Sequence, residues 1–223
     1  EQEQLDIYIS YNARRQFPCP SCQAESSVFD TKERTWRHLN FFQFKAYIHC
    51  EVPRIGCPSC GIKQVDVPWS RPYSGFTMLF EAFIIELAAH MPVAAIARLV
   101  GENDTRLWRL IRHYVDKARE QEDYSDVIAV GVDETSSKRG HNYVTVFVDL
   151  DQSKVIYATE GKDAGTITSF AEDLSLHNGD PDNITDVTCD MSPAYIKGVK
   201  NNLPNATITF DKFHIMKQIN EAV

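Results

Sequence analysis

Four cysteines form two matching pairs whose spacing suits a metal ion. The pairs are Cys19-Pro20-Ser21-Cys22 and Cys57-Pro58-Ser59-Cys60. A C-x-x-C turn supplies two thiolates from one tight loop, and two such turns complete the four ligands of a structural Zn²⁺ site. The alternatives are two disulfides or four unrelated thiols. Disulfides are not expected, because the first residues do not resemble a secretory signal, and two copies of Cys-Pro-Ser-Cys are rarely accidental. We therefore predict that Cys19, Cys22, Cys57 and Cys60 bind a structural zinc ion.

Two aspartates follow strand-like segments in the second half of the chain. Asp133 comes after the continuous apolar run 127–132, and Asp190 comes after the strand-like segment 184–189. The order β-β-β-α-β-α-β-α, predicted from residue 126 onward, is that of a ribonuclease-H-like sheet, in which the first and fourth strands are parallel neighbours. Asp133 and Asp190, each just past its strand, would then face each other. The alternative is that they are two ordinary surface aspartates at strand ends.

Paired carboxylates on neighbouring strands predict metal-dependent phosphodiester chemistry. Two such groups can bridge two divalent cations about 3.5–4 Å apart. Ions held in this way activate water or a 3′-hydroxyl and stabilise the leaving oxygen. Mg²⁺ or Mn²⁺ is expected because all the ligands are oxygen atoms.

The middle of the chain has the pattern of a helix-turn-helix. The predicted helices run from Gly75, capped by Ser74, to His90; from Pro92 to the break at Gly101; and from Asn103 or Asp104 to Arg119. A short helix, a glycine-containing turn and a longer helix match the helix-turn-helix of DNA-binding proteins.

The third predicted helix carries its basic residues on one face. Arg106, Arg109, Arg112 and His113 lie opposite the apolar face and are predicted to contact phosphates or guanine edges. A plain helical bundle with a solvated face is the alternative, and Asp116 on the same face favours it somewhat.

Basic and aromatic residues also alternate between the two cysteine pairs, as they do on nucleic-acid-binding surfaces. Lys32, Arg34 and Arg37 are predicted to contact DNA there, although an ordinary solvated face is an equal alternative. The strand-like stretches 27–29 and 43–49 indicate a zinc ribbon with an extended hairpin.

The charge is distributed unevenly along the 223 residues. The formal net charge is −8, of which residues 1–70 contribute 0, residues 71–125 contribute −1 and residues 126–223 contribute −7. We predict a multidomain α+β and α/β protein with these three segments as zinc ribbon, helix-turn-helix and ribonuclease-H-like mixed sheet. The acidic excess lies in the segment expected to hold cations. No apolar run approaches the roughly 18 residues of a membrane span.

Several motifs together resemble the transposases of bacterial insertion sequences, in particular the group called ISL-three. Besides the paired cysteine turns, they are Gly131-Val132-Asp133-Glu134 followed by Gly140-His141-Asn142-Tyr143, Cys189-Asp190-Met191-Ser192-Pro193-Ala194-Tyr195, and Phe210-Asp211-Lys212-Phe213-His214. The resemblance covers nearly the whole chain, and the combination is far more specific than any one motif.

The resemblance implies an Asp-Asp-Glu triad in which Asp133 and Asp190 are the first two members. Asp211, His214 and Glu134 are expected to be accessory to the site. The implied partners are the terminal inverted repeats of the element, target DNA and further copies of the chain, in the nucleoid of the bacterial cytoplasm. The alternative is a zinc-dependent DNA-binding or regulatory module that keeps the ribonuclease-H-like scaffold without the reaction.

The resemblance also leads to a prediction about the third carboxylate. In the family, a Glu on a helix well beyond the Phe-Asp-Lys-Phe-His stretch completes the triad, and Glu221 comes too early to be that residue. We therefore expect the 223-residue polypeptide to perform no strand transfer by itself. An assay with terminal inverted repeats as the substrate measures this, and efficient joining by the 223-residue chain would refute it.

Overall fold

The computed structural model describes residues 4–11, 15–136 and 143–210. The chain divides into two units, one up to Asp116 and one from Lys117 onward. Within the described ranges, no helix is both long enough and apolar enough to cross a membrane.

A four-stranded sheet dominates the first unit. The strands of this unit are β1 (Gln4–Ile9), β2 (Phe17–Pro18), β3 (Glu25–Ser26), β4 (Val28–Arg37), β5 (Lys45–Cys57) and β6 (Gly61–Gln64). β5 is antiparallel to β4, and its other edge pairs first with β1 and then with β6. β2 and β3 form a separate small antiparallel pair. The predicted ribbon hairpin is present, with strands considerably longer than the stretches 27–29 and 43–49.

Residue alternation along β5 explains its central place. Ala46, Ile48, Cys50 and Val52 are all buried, whereas the residues between them are more exposed, as the two faces of a strand require. β1 runs parallel to β5, from Gln4 beside Lys45 to Ile9 beside Cys50. The sequence did not predict β1, because its partner lies far along the chain.

Arg37, at the end of β4, is buried and joins the sheet to the helical segment. Only 1% of its surface is exposed. Its guanidinium donates to the carbonyl oxygens of His38 and Ala46, and Nε lies 3.6 Å from Oε1 of Glu102. The group also lies over the Phe80 ring, 5.1 Å from the centroid. The prediction that Arg37 contacts DNA is therefore wrong, since its side chain is buried inside the protein.

Three helices follow the sheet: α1 (Met78–Ala88), α2 (Val93–Val100) and α3 (Asp104–Arg119). Their shared core consists mainly of Phe76, Phe80, Ile84, Ile96, Leu107 and Leu110. Gly101 ends α2 with a φ of 66°, a left-handed conformation that glycine adopts without strain.

The cap of α1 differs from the predicted one. Thr77 is the N-cap, and its hydroxyl accepts a hydrogen bond from the Phe80 backbone N–H at 3.3 Å. Ser74 instead donates its hydroxyl to the carboxylate of Glu81 at 2.5 Å. The predicted start at Gly75 is therefore three residues too early.

In the residues described, the second unit contains a five-stranded mixed sheet, two α-helices and a short 3-10 helix, Pro181–Asn183. Its elements are β7 (Ala129–Ser136), β8 (Tyr143–Asp149), β9 (Lys154–Glu160), α4 (Ala164–Leu176), β10 (Asp186–Cys189), α5 (Pro193–Asn202) and β11 (Thr207–Phe210). The strand order is β11-β10-β7-β8-β9. β7, β8 and β9 are antiparallel to one another, whereas β10 is parallel to both β7 and β11. This is the predicted ribonuclease-H-like arrangement.

The core of this unit lies on one face of the sheet. Phe147 of β8 stacks on Phe170 of α4 with ring centroids 4.4 Å apart, and both side chains are fully buried. Tyr195 of α5 is also fully buried against this face. The helix predicted to begin at Lys212 lies outside the described residues.

Removing the Arg37 side chain should strongly destabilise the first unit. Arg37→Ala leaves Glu102 with one cation fewer and empties a buried site, so we expect the free energy of unfolding to fall by about 3–5 kcal/mol. Arg34→Ala is the matched control, because Arg34 lies exposed on the same strand; its effect should stay within about 0.5 kcal/mol. Urea denaturation of both variants measures this, and equal effects would contradict the structural role of Arg37.

Candidate functional site

The four cysteines of the two pairs converge on one point. Their Sγ atoms all lie within 4.8 Å of one another, and those of Cys22 and Cys57 are 3.5 Å apart. Sulfur atoms bound to one tetrahedral zinc ion at about 2.3 Å lie about 3.8 Å apart, so the cluster has the size that zinc requires. Four thiolates leave no open coordination position, and the zinc is therefore structural.

Tight turns place the four thiols. Cys19 and Cys22 lie in the turn between β2 and β3, where the Gln23 N–H donates to the Cys19 carbonyl oxygen at 2.8 Å. Cys57 ends β5 and Cys60 precedes β6. Two strand pairs therefore meet at the metal site, and the metal ties them together.

Backbone N–H groups favour the ionised form of one thiol in the second pair. The N–H groups of Cys60 and Ser59 donate to the Cys57 sulfur and lower the pKa of Cys57 to about 6. Hydrogen bonding with the Cys22 sulfur, together with burial, raises the pKa of Cys60 to about 12.

Asp133 and Asp190 lie on adjacent parallel strands. β7 and β10 pair with Gly131 beside Thr188, and continuing this register by two residues places Asp190 beside Asp133. Asp190 directly follows β10, as predicted. Asp133 does not follow its strand but lies within β7, which continues to Ser136; the continued pairing of β7 with β8 explains this difference.

Both aspartates share the face of the sheet that does not carry the core. Their neighbours Val132 and Cys189 are buried on the opposite face, whereas Asp133 is exposed and Asp190 half-buried. Oδ1 of Asp190 accepts a hydrogen bond from the Ser192 N–H at 2.9 Å, which fixes the carboxylate at the start of α5. An exposed and a half-buried carboxylate at neighbouring strands provide the oxygen ligands that Mg²⁺ or Mn²⁺ prefers.

Glu134 points to the other face of β7. Its carboxylate accepts a hydrogen bond from the Tyr195 hydroxyl at 3.1 Å, and this hydroxyl lies 2.9 Å from Oγ1 of Thr145. Burial, reinforced by the nearby Glu134 carboxylate, raises the pKa of the Tyr195 phenol well above its usual value. Tyr195 belongs to the motif Cys189–Tyr195, but the sequence did not predict this contact, which links α5 to β7.

The basic face of α3 is partly engaged in ion pairs. Arg106 donates to Glu102 at 2.6 Å, and Nε of Arg112 lies 3.7 Å from Asp116. Arg109 and His113 are exposed. On the ribbon, Lys32 and Arg34 are exposed, and Arg34 donates to the side-chain oxygen of Gln64 at 3.3 Å. The predicted accessory residues Asp211 and His214 lie outside the described residues.

Fold and sites together define a chain with a zinc ribbon, three helices with a helix-turn-helix pattern and a ribonuclease-H-like sheet. Three family models match it: the zinc-finger of transposase IS204/IS1001/IS1096/IS1165 over residues 15–60, the helix-turn-helix domain of transposase family ISL3 over residues 65–115, and a transposase domain of the same family over residues 130–223. The chain belongs to the ISL3 family of insertion-sequence transposases.

Two relatives are transposases of insertion sequence elements. The chain is 29% identical to that of IS1557 from Mycobacterium tuberculosis, over 92% of this chain and 46% of the relative. It is 27% identical to that of IS1001 from Bordetella parapertussis, over 98% of this chain and 54% of the relative. The chain thus spans about half the length of these relatives. A solved structure of the HTLV-2 integrase catalytic core is similar at 15% identity with a TM-score of 0.30, over 42% of this chain and 65% of that one.

Zinc content gives a direct test of the cysteine site. We expect a single zinc ion per chain, lost in both Cys19→Ser and Cys57→Ser because three thiolates hold the ion far less tightly. Cys50→Ala is the matched control, since Cys50 is a buried cysteine outside the cluster; it should keep its zinc. Elemental analysis of dialysed protein measures this, and a folded parent protein without zinc would rule the site out.

Proposed function

We propose that this chain belongs to a DNA transposase that binds the ends of its element and supports metal-dependent cleavage and strand transfer. The observation that supports the proposal is the parallel register of β7 and β10, whose continuation two residues beyond Gly131 and Thr188 sets Asp133 beside Asp190. In this proposal residues 1–70, 71–125 and 126–223 act as zinc ribbon, helix-turn-helix and catalytic segment.

Asp133 and Asp190 would hold the divalent ions through their carboxylate oxygens. Such ions, when bound, supply activation of water or a 3′-hydroxyl and stabilisation of the leaving oxygen. Oδ1 of Asp190 accepts a hydrogen bond from the Ser192 N–H, and Oδ1 of Asp133 accepts one from the Glu134 N–H at 2.8 Å.

The DNA-binding residues of this proposal lie on two surfaces of the first unit. Arg106, Arg109, Arg112 and His113 of α3 would contact the major groove or its phosphates, and Lys32 and Arg34 of the ribbon would contact the backbone. Their DNA would be the terminal inverted repeats of the element, with target DNA joining later. Several copies of the chain would assemble on these ends in the bacterial nucleoid.

A second candidate is a zinc-dependent DNA-binding module that has kept the scaffold without the reaction. One observation supports it: in residues 4–11, 15–136 and 143–210, the four cysteines are the only group of three or more potential ligands close enough to share an ion, and the module needs no other metal site.

Binding of Mn²⁺ separates the two candidates. For the transposase, Asp133→Asn and Asp190→Asn should each weaken Mn²⁺ binding by roughly tenfold or more, since a directly bound ligand matters at least as much as its outer partners. Neither change should alter affinity for a duplex of the terminal inverted repeat. Asp151→Asn, at an exposed turn of the same unit, is the control. Titrations followed by electron paramagnetic resonance measure this.

Mn²⁺ binding that is indifferent to both aspartates, with normal DNA affinity, would favour the module. A parent chain that does not prefer the repeat over a scrambled duplex would contradict both candidates.

A further inference from the structure

A tyrosine at the tip of a loop is exposed to an unusual degree. Tyr73, in the loop between the ribbon and α1, has a relative exposure of 101%, so its ring touches almost nothing in the protein. Its φ is 62°, in the left-handed region that aromatic residues rarely adopt. A strained and fully exposed aromatic residue contributes nothing to folding stability, and this points to an external role.

The loop is held firmly from beneath. Glu81 of α1 is fully buried, and its carboxylate accepts hydrogen bonds from Arg71 Nε at 3.0 Å, Ser74 Oγ at 2.5 Å and Tyr114 Oη at 2.7 Å. The residues on both sides of Tyr73 are thus tied to one buried group. The tip is therefore preorganised, which lowers the entropy cost of binding through it.

Arginines line the two clefts that Tyr73 borders. One cleft is lined by Arg34 and Arg71, together with the acidic side chain of Asp66. The other is lined by Arg71, Arg106 and Arg109.

Buried or nearly buried acids fix two of these arginines. Glu81 binds Arg71, and Glu102, whose side chain is 5% exposed, binds Arg106 at 2.6 Å. The Arg106 guanidinium also stacks over the Phe76 ring, 4.4 Å from the centroid. These contacts orient the Arg106 guanidinium. Its side chain remains 43% exposed, so the group can still bind an anion.

We propose that the Tyr73 loop is a DNA-contacting element, in which the ring enters the minor groove of a duplex and the flanking arginines bind the phosphates of its two strands. The minor groove is about 6 Å wide, with phosphates along both edges, and a fully exposed ring with arginines in the adjoining clefts suits that pattern. Arg106 and Arg109 belong to α3, so the tip lies beside the helix proposed to read the major groove. The inference rests on the proposed function and adds a residue to it.

Affinity for a duplex of the terminal inverted repeat tests the contact. Tyr73→Ala should raise Kd roughly tenfold at fixed salt concentration, as expected for the loss of one aromatic contact with a base, whereas Tyr73→Phe should keep most of the affinity. Tyr73→Gly should weaken binding like Ala without lowering Tm, because glycine relieves the left-handed backbone. Tyr8→Ala is the matched control: Tyr8 is 78% exposed in the same unit but lines a cleft with Glu33 and Glu51, so its loss should not matter.

A crosslinking experiment adds a readout that does not depend on affinity. The photoreactive residue p-benzoylphenylalanine in place of Tyr73 should crosslink to the repeat duplex, and the same residue in place of Tyr8 should not. Unchanged affinity of Tyr73→Ala, or equal losses in the Tyr73 and Tyr8 variants, would overturn the inference while leaving the proposed function intact. A parent chain that binds no duplex would overturn the proposed function itself.

Discussion

Four thiolates within 4.8 Å of one another repel each other unless a cation lies between them, and the first unit is organised around this requirement. The apolar cluster at the site is small, with Cys19, Ile55 and Cys57 as its buried members. Zinc binding therefore supplies stability that a larger apolar core would otherwise provide. The zinc site joins β2 and β3 to the ends of β5 and β6, and β5 pairs in turn with β4. From β4, Arg37 reaches Glu102, and Glu102 orients Arg106. A continuous series of contacts therefore connects the metal with the arginines proposed to face DNA.

The second unit uses the two faces of one strand for different tasks. Asp133 of β7 projects from the open face, whereas Glu134 projects into the face covered by helices and receives the Tyr195 hydroxyl. Because Tyr195 lies in the first turn of α5, and α5 begins just after Asp190, this hydrogen bond links the segment after Asp190 to the strand of Asp133. Two features thus set the separation of the two aspartates: the register between β7 and β10, and the packing of α5 against the helix-covered face of the sheet.

Local patterns predicted much of this structure, and long-range contacts account for most of the errors. The paired cysteine turns, the succession of strands and helices along the second unit and the break at Gly101 each depend on neighbouring residues, and each is present in the described residues. Arg37 looked like a surface cation because nothing near it in sequence shows that Glu102 and Phe80 surround it. Ser74 looked like a helix cap because its true partner, Glu81, lies one turn inside α1. The side-by-side placement of Asp133 and Asp190 follows from the predicted topology, but their roles depend on chemistry that sequence and fold only suggest.

The parallel pairing of β1 with β5 has a consequence for how the protein can be handled. β1 covers the hydrogen-bonding edge of β5 over Lys45–Cys50, while β6 covers the edge over Arg54–Cys57. A version of the protein without its first ten residues would move the open edge of the sheet from β1 to the Lys45–Cys50 segment of β5, where every second side chain is buried in the core. Such an edge invites strand addition between copies, so trimming the N-terminus would favour aggregation even though none of the zinc ligands is removed.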